Sequence, residues 1–83
     1  MAGQTANKMT HLDAAIGAER FRALSSRERQ IATLVCDGLA NKEIARELGV
    51  CEGTVKQHVH SIYRKLSVRN RGGLIVALLQ PKN

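Results

Sequence analysis

This sequence contains no tryptophan, one tyrosine and one phenylalanine, so aromatic residues make up 2% of its 83 positions. A core built from it has to come from leucine, isoleucine, valine and alanine. No apolar run approaches the roughly 20 residues needed to span a bilayer, and the N-terminus lacks the apolar segment of a secretion signal. A soluble, cytoplasmic protein is expected, with no membrane partner. The two cysteines, Cys36 and Cys51, lack metal-ligand spacing and are too few for a disulfide scaffold. They read as reduced thiols, one in a helix and one in a turn; the sharper alternative is a redox role for Cys51, because a helix N-terminus lowers a thiol's pKa. Also missing are a Ser/His/Asp arrangement, a paired carboxylate site, a phosphate loop and a metal cluster, and so small a chain offers little pocket volume. Neither an enzyme nor a bound cofactor is expected.

Acidic residues are scarce as well. Seven Asp and Glu stand against thirteen Lys and Arg, a formal net charge of +6 with a sequence pI near 10.0. That balance favours a polyanionic partner, either nucleic acid or an anionic membrane surface, and charge alone does not choose between them. The length fits one small domain, near the size at which a single core is marginally sufficient.

What is present centres on Asn41 to Leu66, which reads as a short helix, a tight turn at Gly49-Val50-Cys51 and a longer helix with two unlike faces. On a 3.6-residue period Val55, Val59, Ile62 and Leu66 form one stripe that must be buried. The opposite side gathers Gly53, Lys56, Gln57, His60 and Arg64, a run of donors without any acidic residue or any bulky apolar one. A helix fits the major groove of B-DNA, where Lys, Gln and His can hydrogen-bond base edges. Gly49 is the residue expected where a helix ends in a left-handed conformation, and Val50 is placed to staple onto Val55. Cys51 is the predicted N-cap, a position where a thiol accepts an N–H poorly.

Around that stretch the chain divides into a flexible leader or linker over 1–23, a domain over 24–80 and a tail over 81–83. Residues 1–10 read as a disordered leader or a vector-derived segment, and His11 has no assigned role. Leu12 to Phe21 has loose apolar spacing interrupted by Gly17; it either packs on the core or acts as a linker. Ser25-Ser26-Arg27-Glu28 is a capping box, followed by Ile31, Leu34, Val35 and Leu39 at helical spacing, with a stop near Gly38. Asn41 is the predicted cap of the next helix, which contributes Ile44, Ala45 and Leu48 to the core. Asn70 is placed to cap a last helix from Arg71 to about Leu79, before Pro81. There Leu74 to Leu79 is apolar without a break, so one face completes the core and the other is left over, which marks an interface. Two copies joined by a twofold axis are the default expectation. Gly72 and Gly73 each cost about 1 kcal/mol relative to alanine, which points either to close backbone approach in a dimer or to a frayed first turn.

From Leu24 to about Leu79 the sequence resembles the DNA-binding domain of LuxR-type regulators, also called the GerE-like domain. The resemblance rests on Leu24-Ser25 with Arg27-Glu28, Gly38, Asn41-Lys42-Glu43-Ile44-Ala45, Leu48, Thr54-Val55-Lys56 with His58, Lys65-Leu66 and Val68-Arg69-Asn70-Arg71, in that order. It implies an all-α, four-helix helix-turn-helix bundle: a tri-helical core plus a C-terminal dimerisation helix, with the helix at about 52–66 in the major groove. It also implies bacterial origin, an inverted or direct repeat near a promoter as the target, and RNA polymerase or another regulator as a possible partner. Most members carry a sensory domain ahead of this module, so the chain is expected to be either an excised C-terminal domain or a stand-alone regulator. Three departures stand out: Cys51 for the usual serine cap, Gly72-Gly73 for polar helix formers, and Leu74 for a small residue.

The expected roles follow from position. Lys56, Gln57 and His60 are candidates for base edges, with a phosphate as the alternative for Lys56 and His60. Asn41 and Lys42, at a helix N-terminus, suit a phosphate, and Thr54, Arg64, Lys65 and Arg71 are further backbone candidates; for Lys65 and Arg71 a solvated surface charge is the alternative. His58 reads as a boundary packing residue. Gly72, Leu74, Ile75, Leu78 and Leu79 are expected at the dimer interface. The competing function is a protein-interaction module that blocks a full-length regulator by forming heterodimers.

Overall fold

The computed structural model describes residues 17–79, which form five helices and no strand: α1 over residues 17–22, α2 Ser26–Cys36, α3 Asn41–Leu48, α4 Glu52–Leu66 and α5 Arg71–Leu79. Residues 1–16 of the expected leader or linker (1–23) and the tail over 81–83 lie outside the described residues.

The helix starts are set by local chemistry. Ser25 and Glu28 form the predicted capping box, with the Glu28 N–H donating to Ser25 Oγ at 3.2 Å and the Ser25 N–H to Glu28 Oε1 at 2.8 Å. At α3 the cap is one residue earlier than expected: Ala40 is the N-cap and Asn41 is the first helical residue. Alanine has no side-chain acceptor, and only the returning half of a capping box remains, in which Glu43 Oε1 takes the Ala40 N–H at 2.7 Å. Cys51 caps α4 as predicted, and its thiol bonds no backbone N–H there. Asn70 caps α5 through Oδ1, which accepts the Gly73 N–H at 2.8 Å.

Three helices end in the same turn. Beyond α2, α3 and α4 a residue with positive φ lets two successive N–H groups reach back to the last turn's carbonyls, the Schellman arrangement. Gly38 (φ 95°) and Gly49 (φ 69°) occupy that position after α2 and α3, and Ser67 (φ 56°) occupies it after α4. After α4 the Val68 N–H donates to Tyr63 O at 2.9 Å and the Ser67 N–H to Arg64 O at 3.2 Å. The two glycines were legible in the sequence; Ser67, which carries the steric cost of a Cβ there, was not.

The core is aliphatic, as the composition requires. Ile31, Val35, Ile44, Val55, Ile62 and Leu74 are each less than 2% exposed, and Val59 and Leu66 are also buried. Leu34, Leu39, Leu48 and Val50 pack partly buried around them.

The last helix corrects the expected interface. Leu74 is fully buried, as is most of Ala77, whereas Val76 and Leu79 are each 58% exposed. Leu74 therefore belongs to the core rather than to a dimer surface: the 3-residue step from 74 to 77 is the inward face. Ile75 and Leu78 are half-buried and Gly72 is exposed. Neither reason offered for Gly73 is needed, because a Cβ there would lie 3.3 Å from Val68 Cβ within the same chain. Gly72 meets nothing comparable, and nothing in the structure explains it.

At the other end of the chain, residues 17–22 lie within the stretch expected to be leader or linker, and they are helical. Phe21 packs on the core. Gly17 is the first described residue of this helix, so the expected interruption of residues 12–21 lies partly outside the described residues; it is buried against the end of α5, where a Cβ would lie 3.2 Å from Leu78 O.

Candidate nucleic-acid interface

The helix-turn-helix pair α3 and α4 is held from below by the buried stripe of α4, Val55, Val59, Ile62 and Leu66. Lys56, Gln57, His60 and Arg64 project from the other side and are all exposed. The helix period brings these four together as expected. Glu52 is also exposed, one turn ahead of Lys56, and places an acidic group at the edge of this side that the sequence reading left off it. The His60 ring stands edge-on to Tyr63, with centroids 6.0 Å apart and planes at 78°. His58 is half-buried, in keeping with a boundary position.

Glu28, a buried carboxylate only 4% exposed, ties α2 to α4. Besides the Ser25 N–H, it accepts Ser61 Oγ at 2.7 Å on Oε2 and Lys65 Nζ at 2.8 Å on Oε1. Burial pushes the Glu28 carboxyl up, but the bonds from Lys65, from the Ser25 N–H and from Ser61 outweigh it and hold the pKa at about 2. Glu28 is thus ionised at neutral pH, and it links the start of α2 to the second half of α4. Sequence reasoning saw only its capping role. The partners lie 33 and 37 residues away, and the sole local sign was that Ser61 and Lys65 share one face of α4 at a spacing of four.

The expected phosphate ligands divide into two groups. Lys42 and Arg64 are exposed. Lys65 instead places its ammonium on Glu28, with 44% of its side chain accessible. Arg71 donates to Asn41 Oδ1 at 3.1 Å and, through its other terminal nitrogen, to Leu39 O. Asn41 and Arg71 therefore form a clasp between the starts of α3 and α5. Thr54 is half-buried, with its hydroxyl 3.2 Å from Cys51 Sγ.

That hydroxyl holds the Cys51 thiol below its usual pKa, whereas burial, reinforced by Asp37, pushes the Cys36 thiol up. Among the described residues no group of three His, Cys, Asp or Glu side chains is placed to hold a metal ion, and no helix is long and apolar enough to cross a membrane.

A basic, exposed helix face on a buried aliphatic stripe, preceded by a short helix and a Schellman turn, is an arrangement for laying a helix against DNA. Comparison with known proteins agrees. A family model described as bacterial regulatory proteins, luxR family, matches residues 22–78. The nitrate/nitrite response regulator protein NarP of Escherichia coli is 40% identical over 68 residues, covering 80% of this chain and 32% of NarP. The two-component response regulator PprB of Pseudomonas aeruginosa is 45% identical over 58 residues, 70% of this chain and 21% of that protein. The HTH-type transcriptional regulator MalT of Vibrio parahaemolyticus is 40% identical over 57 residues, 69% of this chain and 6% of that protein. The chain thus spans a third or less of the length of these relatives. With the helix-turn-helix, its caps and its open basic face all inside the matched segment, the chain belongs to the luxR family of bacterial regulatory proteins and carries that family's DNA-binding domain.

Proposed function

We propose that this domain binds double-stranded DNA sequence-specifically, with α4 in the major groove and Lys56, Gln57 and His60 on base edges. The observation that carries the reading is that these three donors are exposed on one side of a helix whose opposite stripe is buried. Lysine matches the O6 and N7 of guanine, glutamine pairs bidentately with adenine, and His60, beside Tyr63, reaches either a base or a phosphate. Lys42, Thr54 and Arg64 take phosphates, and Asn41 joins them while Arg71 holds it in place; such contacts orient the domain without selecting sequence. Lys65 contributes by fixing α4 through Glu28.

Two domains associate through α5. The exposure of Val76 and Leu79 supports this, with Gly72, Ile75 and Leu78 at the margin and Leu74 withdrawn into the core. In the cell the protein acts in the cytoplasm on promoter DNA, with RNA polymerase or another regulator as a further partner. The same exposed pair favours a second reading, in which the domain forms heterodimers with a full-length regulator and modulates it. Selecting bound duplexes from a random pool tests the primary reading. A recovered repeat of two half-sites is expected, and a pool that stays random would overturn it.

A further inference from the structure

The start of the described chain makes a contact that DNA reading does not require. The nine residues of α5 include two glycines and follow the Asn70 cap. A helix this short is marginal without tertiary support, and its last carbonyls need donors from elsewhere. One comes from α1: Arg20 Nη1 donates to Ala77 O at 3.3 Å, across 57 residues of sequence. Beside it the backbone of α1 comes so close to Leu78 O that only glycine fits without displacement at position 17. Gly17, Ala18 and Phe21 face Leu78 and Leu79 across a groove that is also lined by α2. The family match begins at residue 22, so Gly17, Arg20 and Phe21 lie ahead of it.

We propose that α1 is a strap that holds the last turn of α5 in register, with Arg20 and Gly17 as positioning residues for the surface carrying Val76 and Leu79. Its consequence for pairing rests on the reading of α5 as a dimer helix. Arg20 satisfies a terminal carbonyl, and Gly17 lets α1 lie close enough to bring Arg20 there. Phe21 anchors the strap on the core. Whatever moves α1, including any segment joined to its N-terminal end, then changes the order of the α5 terminus while the reading helix, packed elsewhere on the core, keeps its place.

The test uses the 83-residue chain, its Arg20→Ala, Arg20→Lys and Gly17→Val variants, amide hydrogen exchange, and sedimentation to measure self-association. Arg20→Ala and Gly17→Val should speed exchange at residues 76–79 by about tenfold, the scale of one lost hydrogen bond, and leave the amides of Ile44 and Val59 unchanged. Arg20→Lys, which keeps a donor, should restore part of the protection. Self-association should weaken by a similar factor in the first two variants. Unchanged exchange at 76–79, or equal acceleration through every helix, would overturn the strap. A wild-type chain that stays monomeric even on DNA would refute the dimer reading alone, and the exchange measurement would still decide the strap.

Discussion

The two ends of α4 are built differently. The N-terminal half begins at Cys51, whose thiol bonds no backbone N–H at the helix start, and it exposes Glu52, Gly53, Lys56 and Gln57. Only Val55 and Val59 anchor it. The C-terminal half buries Ile62 and Leu66, sends Ser61 and Lys65 to the Glu28 carboxylate, and closes in a Schellman turn at Ser67. Specific polar bonds are concentrated where the helix is fixed and are sparse where it is presented. A reading surface gains from this arrangement, because donors already committed to the protein are lost to a ligand, while the carboxylate clasp that ties the helix to α2 lies further along it.

Breaking the fixed end should have the largest effect. Glu28→Ala removes three hydrogen bonds and should destabilise the domain by ~2–3 kcal/mol, below the ~3–5 kcal/mol of a fully buried pair because the Lys65 side chain is 44% exposed and can turn to water. Urea unfolding measures it, and a loss below about 0.5 kcal/mol would show that the clasp does not hold α4. The same group sets a pH dependence. The folded pKa of Glu28, about 2, lies below its unfolded value of 4.5, so its contribution is fully present above the unfolded value and is lost as pH falls from about 4.5 towards 2. In Glu28→Gln that segment of the acid-unfolding profile should flatten.

Substitutions at the presented end should leave the fold intact and change binding. Lys56→Ala should cost ~1–3 kcal/mol on the preferred duplex and relax its sequence preference, whereas Lys42→Ala should weaken all duplexes alike and flatten the salt dependence. Equal effects of the two variants on every sequence would remove Lys56 from the bases. The caps come last. Cys51→Ser, which supplies a proper acceptor at the open end, should stabilise by about 1 kcal/mol. Ser67→Gly, which relieves the left-handed residue at the fixed end, should gain roughly 0.5–1 kcal/mol. Thermal unfolding distinguishes gain from loss in both.

The presented end was the more legible in the sequence, for a physical reason. Which side of α4 is open depends on the helix period, and Val55, Val59, Ile62 and Leu66 carry that period without ambiguity. Gly38, Gly49, Ser25 with Glu28, and Asn70 were readable because capping chemistry is local. The α3 cap was misplaced by one residue because Asn41 is the type that usually caps, whereas Ala40 holds the position only through Glu43. The fixed end was opaque. The Glu28 bonds to Ser61 and Lys65 exist only once α2 and α4 are packed, and Ser67 is forced into positive φ by a turn with no glycine to announce it. In α5 an unbroken apolar run has no period to read, so the buried Leu74 is expected at the interface and the exposed Val76 is not. The close approach of Gly17 to Leu78 was not legible, because the end of α5 is far away in the chain.

The side of α4 carrying Lys56, Gln57 and His60 is the surface proposed to meet DNA. Titrating the isotopically labelled protein with its selected duplex and following backbone and side-chain resonances tests it most directly. The largest shifts should fall at Gly53, Lys56, Gln57 and His60, with smaller ones at Lys42 and Arg64 and little change at Val35 or Ile62. Shifts confined to α2 or α5, with those four residues unmoved at saturation, would contradict it.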